Sequence, residues 1–238
     1  MTRSLSYYVG PKKYSILKQL GLHQEEVMDF GWWKPVCKFL LSMLNLTYKY
    51  IPNYGIAIIL LTILIRIIFW PLTHKSTESM KKMQALQPLM QEIRQKYKDN
   101  PKKMQEETMA LYRQHKVNPL SGCLPMLVQI PVFVALFIVL RSAIELRFAG
   151  FLWISDLSEP ERLLASILPI PLNILPIFMA VTMAWQQKLT PTGDPNQQKM
   201  MLFFMPAMML FMFYNMPSAL VLYWSANQCI MIVQMLLQ

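Results

Sequence analysis

Charge is scarce in this chain, and so are glycine, histidine and cysteine. Only 15% of the 238 residues are charged, against roughly 25% in soluble domains, which argues against an ordinary water-facing globule. Seven glycines include no phosphate-cradling loop. His23, His74 and His115 all lie outside the apolar runs, and neither HExxH nor GxSxG occurs. Cys37, Cys123 and Cys229 are far apart and form no CxxC pair, so neither a disulfide framework nor a zinc site is expected. These absences predict a protein that is not an enzyme and holds no metal or cofactor. The opening "MTRSLSYYVG" also lacks the three-part layout of a signal peptide, so some upstream element is expected to be missing.

What the chain has instead is hydrophobic length. It is 54% hydrophobic, with a mean hydropathy of +0.30. Five apolar stretches approach the roughly 20 residues that a bilayer core requires. They predict transmembrane helices over residues 55–72, 123–141, 167–187, 200–216 and 218–237. Ahead of them, residues 32–51 are apolar but carry Lys34, Lys38, Ser42, Asn45 and Lys49 every three or four positions. That spacing makes one polar stripe, the pattern of an amphipathic helix lying in the membrane interface, with Trp32 and Trp33 as headgroup anchors.

Residues 73–122 hold ten Lys/Arg and five Asp/Glu. They read as two helices joined at "KDNP", with Asn100 as N-cap and Pro101 at the first helical position. Apolar seams at Met83, Leu86, Met90, Ile93 and Tyr97, and at Met104, Thr108 and Leu111, predict an antiparallel hairpin about 25 residues tall, bent at Pro88. Its positive charge places it in the cytoplasm. Counting spans outward then puts the N-terminus outside, the loop 142–166 outside, the loop 188–199 inside and the C-terminus inside.

One residue conflicts with this pattern. Arg66 sits inside "LTILIRIIFWPLT", residues 61–73, a run that Pro71 is expected to close. A charge within a spanning helix costs roughly 2.5–3.5 kcal/mol on insertion scales, so such groups usually face protein or water and have a task. Snorkelling toward the nearby cytoplasmic end is the bland alternative. No span offers a carboxylate partner. The spans do offer neutral polar groups: Thr62, Gln129, Thr182, Gln186, Gln187, Ser218, Ser225, Asn227 and Gln228. Each alone could merely bond a neighbouring helix, but collected around an arginine they describe a hydrated cavity.

An ordered series of segments carries a resemblance: "RIIFWPLT", "MKKMQALQP", "MALYRQHKVNPLSGCLPMLVQIPVF", "DPNQQKMMLFFMP" and "PSALVLYWSANQ". Together they resemble the YidC/Oxa/Alb family of membrane-protein insertases along nearly the whole chain. Residues 1–31, with "YYVGPKKYSILKQLG" and "VMDFGWW", look like the end of the large periplasmic domain of Gram-negative members, without their first span and most of that domain.

The resemblance implies an all-α membrane protein with a five-helix core, an interfacial helix, a mobile cytoplasmic hairpin and a hydrophilic groove open to cytoplasm and lipid. It places Arg66 in that groove, Gln129 on its lining, and Thr62 with Tyr223 and Trp224 where a nascent transmembrane segment is contacted. It further implies nascent membrane proteins and the bilayer as partners, in a bacterial inner membrane. The Sec translocon and ribosome remain open as further partners, and no sequence-specific nucleic-acid binding is expected. Two rival readings are a small-anion transporter or channel built on Arg66, and an assembly factor acting mainly through its hairpin. The first usually brings internal repeats, and none is visible.

Overall fold

The computed structural model describes residues 8–12, 14–20, 30–118, 124–163, 171–189 and 198–237. Most of residues 1–31 and of the loop 188–199, the end of the loop 142–166, the start of the stretch 167–187, and Cys123 lie outside the described residues.

The described residues are helical, with two isolated β-bridges and no strand. In chain order the helices are α1 (Tyr14–Leu20), α2 (Lys34–Tyr50), α3 (Tyr54–Ala85), α4 (Gln87–Lys96), α5 (Pro101–Gln114) and α6 (Leu124–Ser142). They are followed by α7 (Ile174–Leu189), a π-helical segment (Met200–Phe204) continuing into α8 (Met205–Phe213), and α9 (Ser218–Leu237). Among the described residues, α3 and α9 are long and apolar enough to cross a membrane, judged by length and composition. The outer surface is greasy: Ile67, Leu127, Val181, Phe203 and Phe211 are all exposed. An exposed apolar surface this extensive suits contact with lipid rather than water.

The start of α3 is set locally. Asn53 Oδ1 accepts a hydrogen bond from the backbone N–H of Ile56 at 3.2 Å, capping one orphan donor. Where α3 stops departs from the sequence-based expectation. Pro71 does not close the first apolar run, and the helix runs through it to Ala85. The pyrrolidine ring removes one backbone hydrogen bond, the one to the Ile67 carbonyl, and Pro71 is exposed. The Thr73 hydroxyl donates to the carbonyls of Phe69 and Trp70, at 3.1 and 3.0 Å. At 1.5 Å per residue the 32-residue α3 is about 48 Å long, longer than the roughly 30 Å of a hydrocarbon core. The first apolar run and the start of the basic segment are therefore one rod.

The break falls instead at Leu86, two residues before Pro88, which has no N–H for the Gln84 carbonyl and whose ring would clash with it in a continuing helix. The arms beyond are α4, with 10 residues, and α5, with 14, so the free-standing hairpin is shorter than the pattern suggests. Asn100 Oδ1 accepts from the backbone N–H of Lys103 at 3.2 Å and caps α5. The seam includes buried Leu86 and Met90, and the Tyr112 hydroxyl donates to Met90 Sδ at 3.2 Å.

Helix α2 buries Cys37, Leu40, Leu41 and Leu44 on one stripe, packed against α3 and α6. The Cys37 thiol donates to the Ala135 carbonyl of α6 at 3.6 Å. Its outer surface is mixed, because Phe39 and Leu46 are exposed beside Ser42 and Lys49. Trp32, just ahead of it, is 99% exposed, while Trp33 is half-buried.

The first turns of α3 and α9 meet at one end of the bundle and are covered by residues 143–163. A Cβ at Gly55 would overlap the Phe151 ring, so only glycine lets that ring seat on α3. The N-terminus of α9 is satisfied from the same loop: Ser218 N–H donates to the Glu159 carbonyl at 2.9 Å, and Ala219 N–H to the Leu157 carbonyl at 2.9 Å. Glu161 Oε2 accepts from the backbone N–H of Leu175 at 2.8 Å, near the start of α7, and its other oxygen accepts from the Trp153 indole. Ala57, Ile58, Leu61, Ala219, Leu220 and Val221 fill the space beneath and are at most 2% exposed. That end of the bundle is solid.

Candidate functional site

Below the solid end the helices part around a cavity of about 360 Å³. On α3 it is lined by Ile65, Arg66, Phe69, Leu72, Thr73 and Met80, and on α9 by Trp224, Asn227, Gln228, Met231 and Met235. Those spacings, mostly three, four and seven, keep one face of each helix turned to the cavity. Its polar lining is Arg66, Thr73, Gln129, Gln186, Gln187, Asn227 and Gln228.

Arg66 is 7% exposed. Its Nε donates to Asn227 Oδ1 at 2.7 Å, and its Nη2 lies 3.4 Å from the Asn227 carbonyl oxygen and 3.7 Å from Met231 Sδ. Among the described residues no carboxylate lies within ion-pair distance of it. The guanidinium is thus held by a neutral amide, which orients it without cancelling its charge. The sequence offers Arg66 no carboxylate partner, and the structure engages it with Asn227, one of the neutral polar groups collected around it.

A second pair joins the same two helices seven residues further along each. Gln234 Nε2 donates to the Thr73 hydroxyl at 3.2 Å. Equal steps in the same direction mean that α3 and α9 run parallel, in register. A third link ties in α7. The Gln228 amide is satisfied with its nitrogen toward Thr182 Oγ1, at 2.8 Å, and the Met179 carbonyl, at 3.0 Å, while its oxygen accepts from the Trp224 indole at 3.0 Å. Trp224 is further clamped by Phe133, edge-on at 5.0 Å, and by Phe213 at 5.4 Å.

Of the eight cavity residues proposed from sequence, Arg66, Gln129, Gln186, Gln187, Trp224 and Asn227 line this cavity. Thr62 and Tyr223 do not. Thr62 is fully buried, and its hydroxyl donates to the Ile58 carbonyl of its own helix at 2.7 Å. Tyr223 is 1% exposed, and its hydroxyl accepts from Gln129 Nε2, so it reaches the cavity only through that glutamine. The sequence reading passed over Thr73, Met231 and Gln234. The shared seven-residue step, Arg66 to Thr73 and Asn227 to Gln234, was the signal that could have found Thr73 and Gln234; Met231, one turn after Asn227, had no polar signal.

The walls other than this polar strip are apolar and rich in methionine: Met80, Met183, Met201, Met205, Met209, Met231 and Met235. A cation and amides set among thioethers make an amphipathic cavity. It can hold an acidic or polar group at the arginine and apolar side chains against the methionines.

Comparison with known proteins gives one answer. The sequence profile of the family described as "60Kd inner membrane protein" matches residues 46–238. A membrane protein insertase YidC from Pelobacter propionicus is 52% identical over 231 residues, covering 95% of this chain and 42% of that protein. Another, from Geobacter metallireducens, is 51% identical over 237 residues, covering 98% of this chain and 42% of its own. A crystal structure described as an active YidC insertase with the first transmembrane domain resolved superposes with a TM-score of 0.71 at 30% identity, over 94% of this chain and 53% of that one. The chain therefore spans less than half the length of these curated relatives.

Proposed function

This chain belongs to the YidC/Oxa/Alb family, and on that premise we propose that it is an inner-membrane insertase and chaperone for nascent membrane proteins. The observation that carries the reading is Arg66: a guanidinium 7% exposed, on a cavity wall, bonded to a neutral amide. The acidic or polar tail of a client is drawn toward this charge, which shortens the polar distance the tail must cross. Coulomb attraction strengthens as the surroundings become less polar than water. The apolar segment that follows moves along α3 and α9 into lipid, driven by burial of its own surface at about 25 cal/mol per Å².

In this reading five spans form the core: the first part of α3, then α6, α7, the π segment with α8, and α9. Helix α2 lies in the interface with Trp32 and Trp33 at headgroup depth. The solid end under residues 143–163 faces outward, and the hairpin faces the cytoplasm, so the N-terminus is outside and the C-terminus inside. Gln129, Gln186, Gln187 and Asn227 keep the cavity polar beside the arginine, and Trp224 offers an aromatic face to the client. Thr62 and Tyr223 act from within the helix packing. The hairpin receives clients before they reach the cavity, where a ribosome or the Sec translocon could deliver them.

The test is insertion into proteoliposomes of two clients that differ only in the charge of their translocated tail, by the protein and by its Arg66→Ala and Arg66→Lys variants. The acidic-tailed client loses insertion with alanine and keeps most of it with lysine. Equal insertion of the acidic client with alanine at 66 defeats electrostatic capture.

A further inference from the structure

The methionines of the cavity are not spread evenly. Met201, Met205 and Met209, four residues apart, descend one face of the π segment and α8 and line the cavity that holds Arg66 and Asn227. An α-helix lets residues four apart drift steadily round its axis. The wider π turn, placed just ahead of Pro206, drifts the other way and brings Met201 back into line with the two below it. All three are half-buried. Met231 joins this wall to the polar strip, because its sulfur receives Gln186 Nε2 at 3.1 Å as well as the Arg66 contact.

The wall and Arg66 line one cavity, so a segment held there meets both. Charge complementarity orients such a segment, with an acidic flank at Arg66 and its apolar side chains toward the thioethers. Methionine is unbranched and polarisable, and it repacks around side chains of different shape with little penalty.

Resting on the insertase reading, we propose that Met201, Met205 and Met209 form the surface that sets which apolar side chains a client can bring, and that their flexibility is what makes the site tolerant. The occupant is an apolar helical segment flanked by acidic residues. Branched, stiffer side chains of equal volume would keep the cavity but lose the tolerance.

The experiment uses four clients with one acidic tail and an apolar segment built around Ala, Leu, Phe or Trp, inserted into proteoliposomes by the protein and by its Met201→Leu/Met205→Leu/Met209→Leu variant. Methionine-to-leucine swaps conserve volume and are tolerated by packed cores. The protein inserts all four clients within about threefold of one another, while the variant keeps the Leu client and loses the Phe and Trp clients about tenfold. A flat variant profile, or an equal fall for all four clients, overturns this inference alone. A protein that inserts none of the four overturns it together with the insertase reading. Independently of any variant, a client carrying benzoylphenylalanine in its apolar segment should give photoadducts on Met205 or Met209, because the excited ketone favours the C–H bonds beside a thioether. Adducts confined to residues away from this wall overturn it.

Discussion

Replacing Asn227 with aspartate would convert the amide that holds Arg66 into a carboxylate of nearly the same shape, 2.7 Å from Nε. At about 4 Å between charge centres and an effective dielectric of ~20, the new pair attracts by about 4 kcal/mol. Burying the added carboxylate costs several kcal/mol, so the fold should change in stability by less than ~2 kcal/mol. The field in the cavity changes much more. A client carboxylate about 6 Å from the guanidinium gains ~3 kcal/mol at a dielectric of ~20 and ~0.7 kcal/mol at ~80. Neutralising Arg66 removes that gain, which corresponds to a roughly 3- to 100-fold fall depending on how wet the cavity is. The assay is the ratio of acidic-tailed to neutral-tailed client inserted into proteoliposomes, with thermal unfolding in detergent confirming that Asn227→Asp is folded. A folded variant whose ratio stays within about twofold of the parent refutes the claim that the free charge of Arg66 draws in the tail. Asn227→Leu is the companion variant: it leaves the cation charged but unoriented, and it should retain acid preference while lowering insertion of both clients.

Gly55→Ala should lower stability by about 1–3 kcal/mol, the usual cost of overpacking, because the new methyl meets the Phe151 ring; thermal unfolding in detergent reads it, and an unchanged midpoint counts against that contact. Asn100→Ala removes the cap of α5 and should cost the hairpin about 1 kcal/mol, seen as roughly fivefold faster hydrogen exchange in its first turn, with cavity-lining amides unaffected. Asp156 links pH to the loop that closes the solid end. Burial pushes its carboxyl up, but the hydroxyl and N–H of Ser158, the Phe148 N–H and nearby Arg147 hold it, on balance, below its ordinary value of 3.8. A depressed folded value means that its contribution is fully present above pH 3.8 and is lost as pH falls through the lower folded value. Asp156→Asn should flatten that acid limb in a pH series of unfolding midpoints, and an unaltered limb rules out this residue as its source.

Much of the local structure was readable from the residues. Asn100 and Pro101 mark a helix start because capping depends only on the next three residues. The helix at Lys34–Tyr50 was visible because its period is a property of one helix, although its outer surface mixes Phe39 and Leu46 with Ser42 and Lys49. Pro71 misled because a long helix packed along its other faces absorbs the one hydrogen bond that a proline removes, and Pro71 itself is exposed. Thr62 looked like a cavity residue because it lies one turn from Arg66, yet the rotation of α3 buries it. The polar residues of α9 could be collected from sequence, but not assigned. Asn227, Gln228 and Gln234 face different partners, on α3 and α7, according to how α9 is turned.

The sequence by itself determined the class of the protein: low charge and repeated apolar runs leave a bilayer as the fitting solvent. It also determined that a cation must sit within the first of those runs. Which group holds that cation was decided only in three dimensions, since Asn227 lies 161 residues away and reaches Arg66 through the parallel register of two helices. The methionine wall is tertiary as well. Its members come from four helices and a π turn, and side chains so far apart share a surface only once packing has set the rotation of every helix around them.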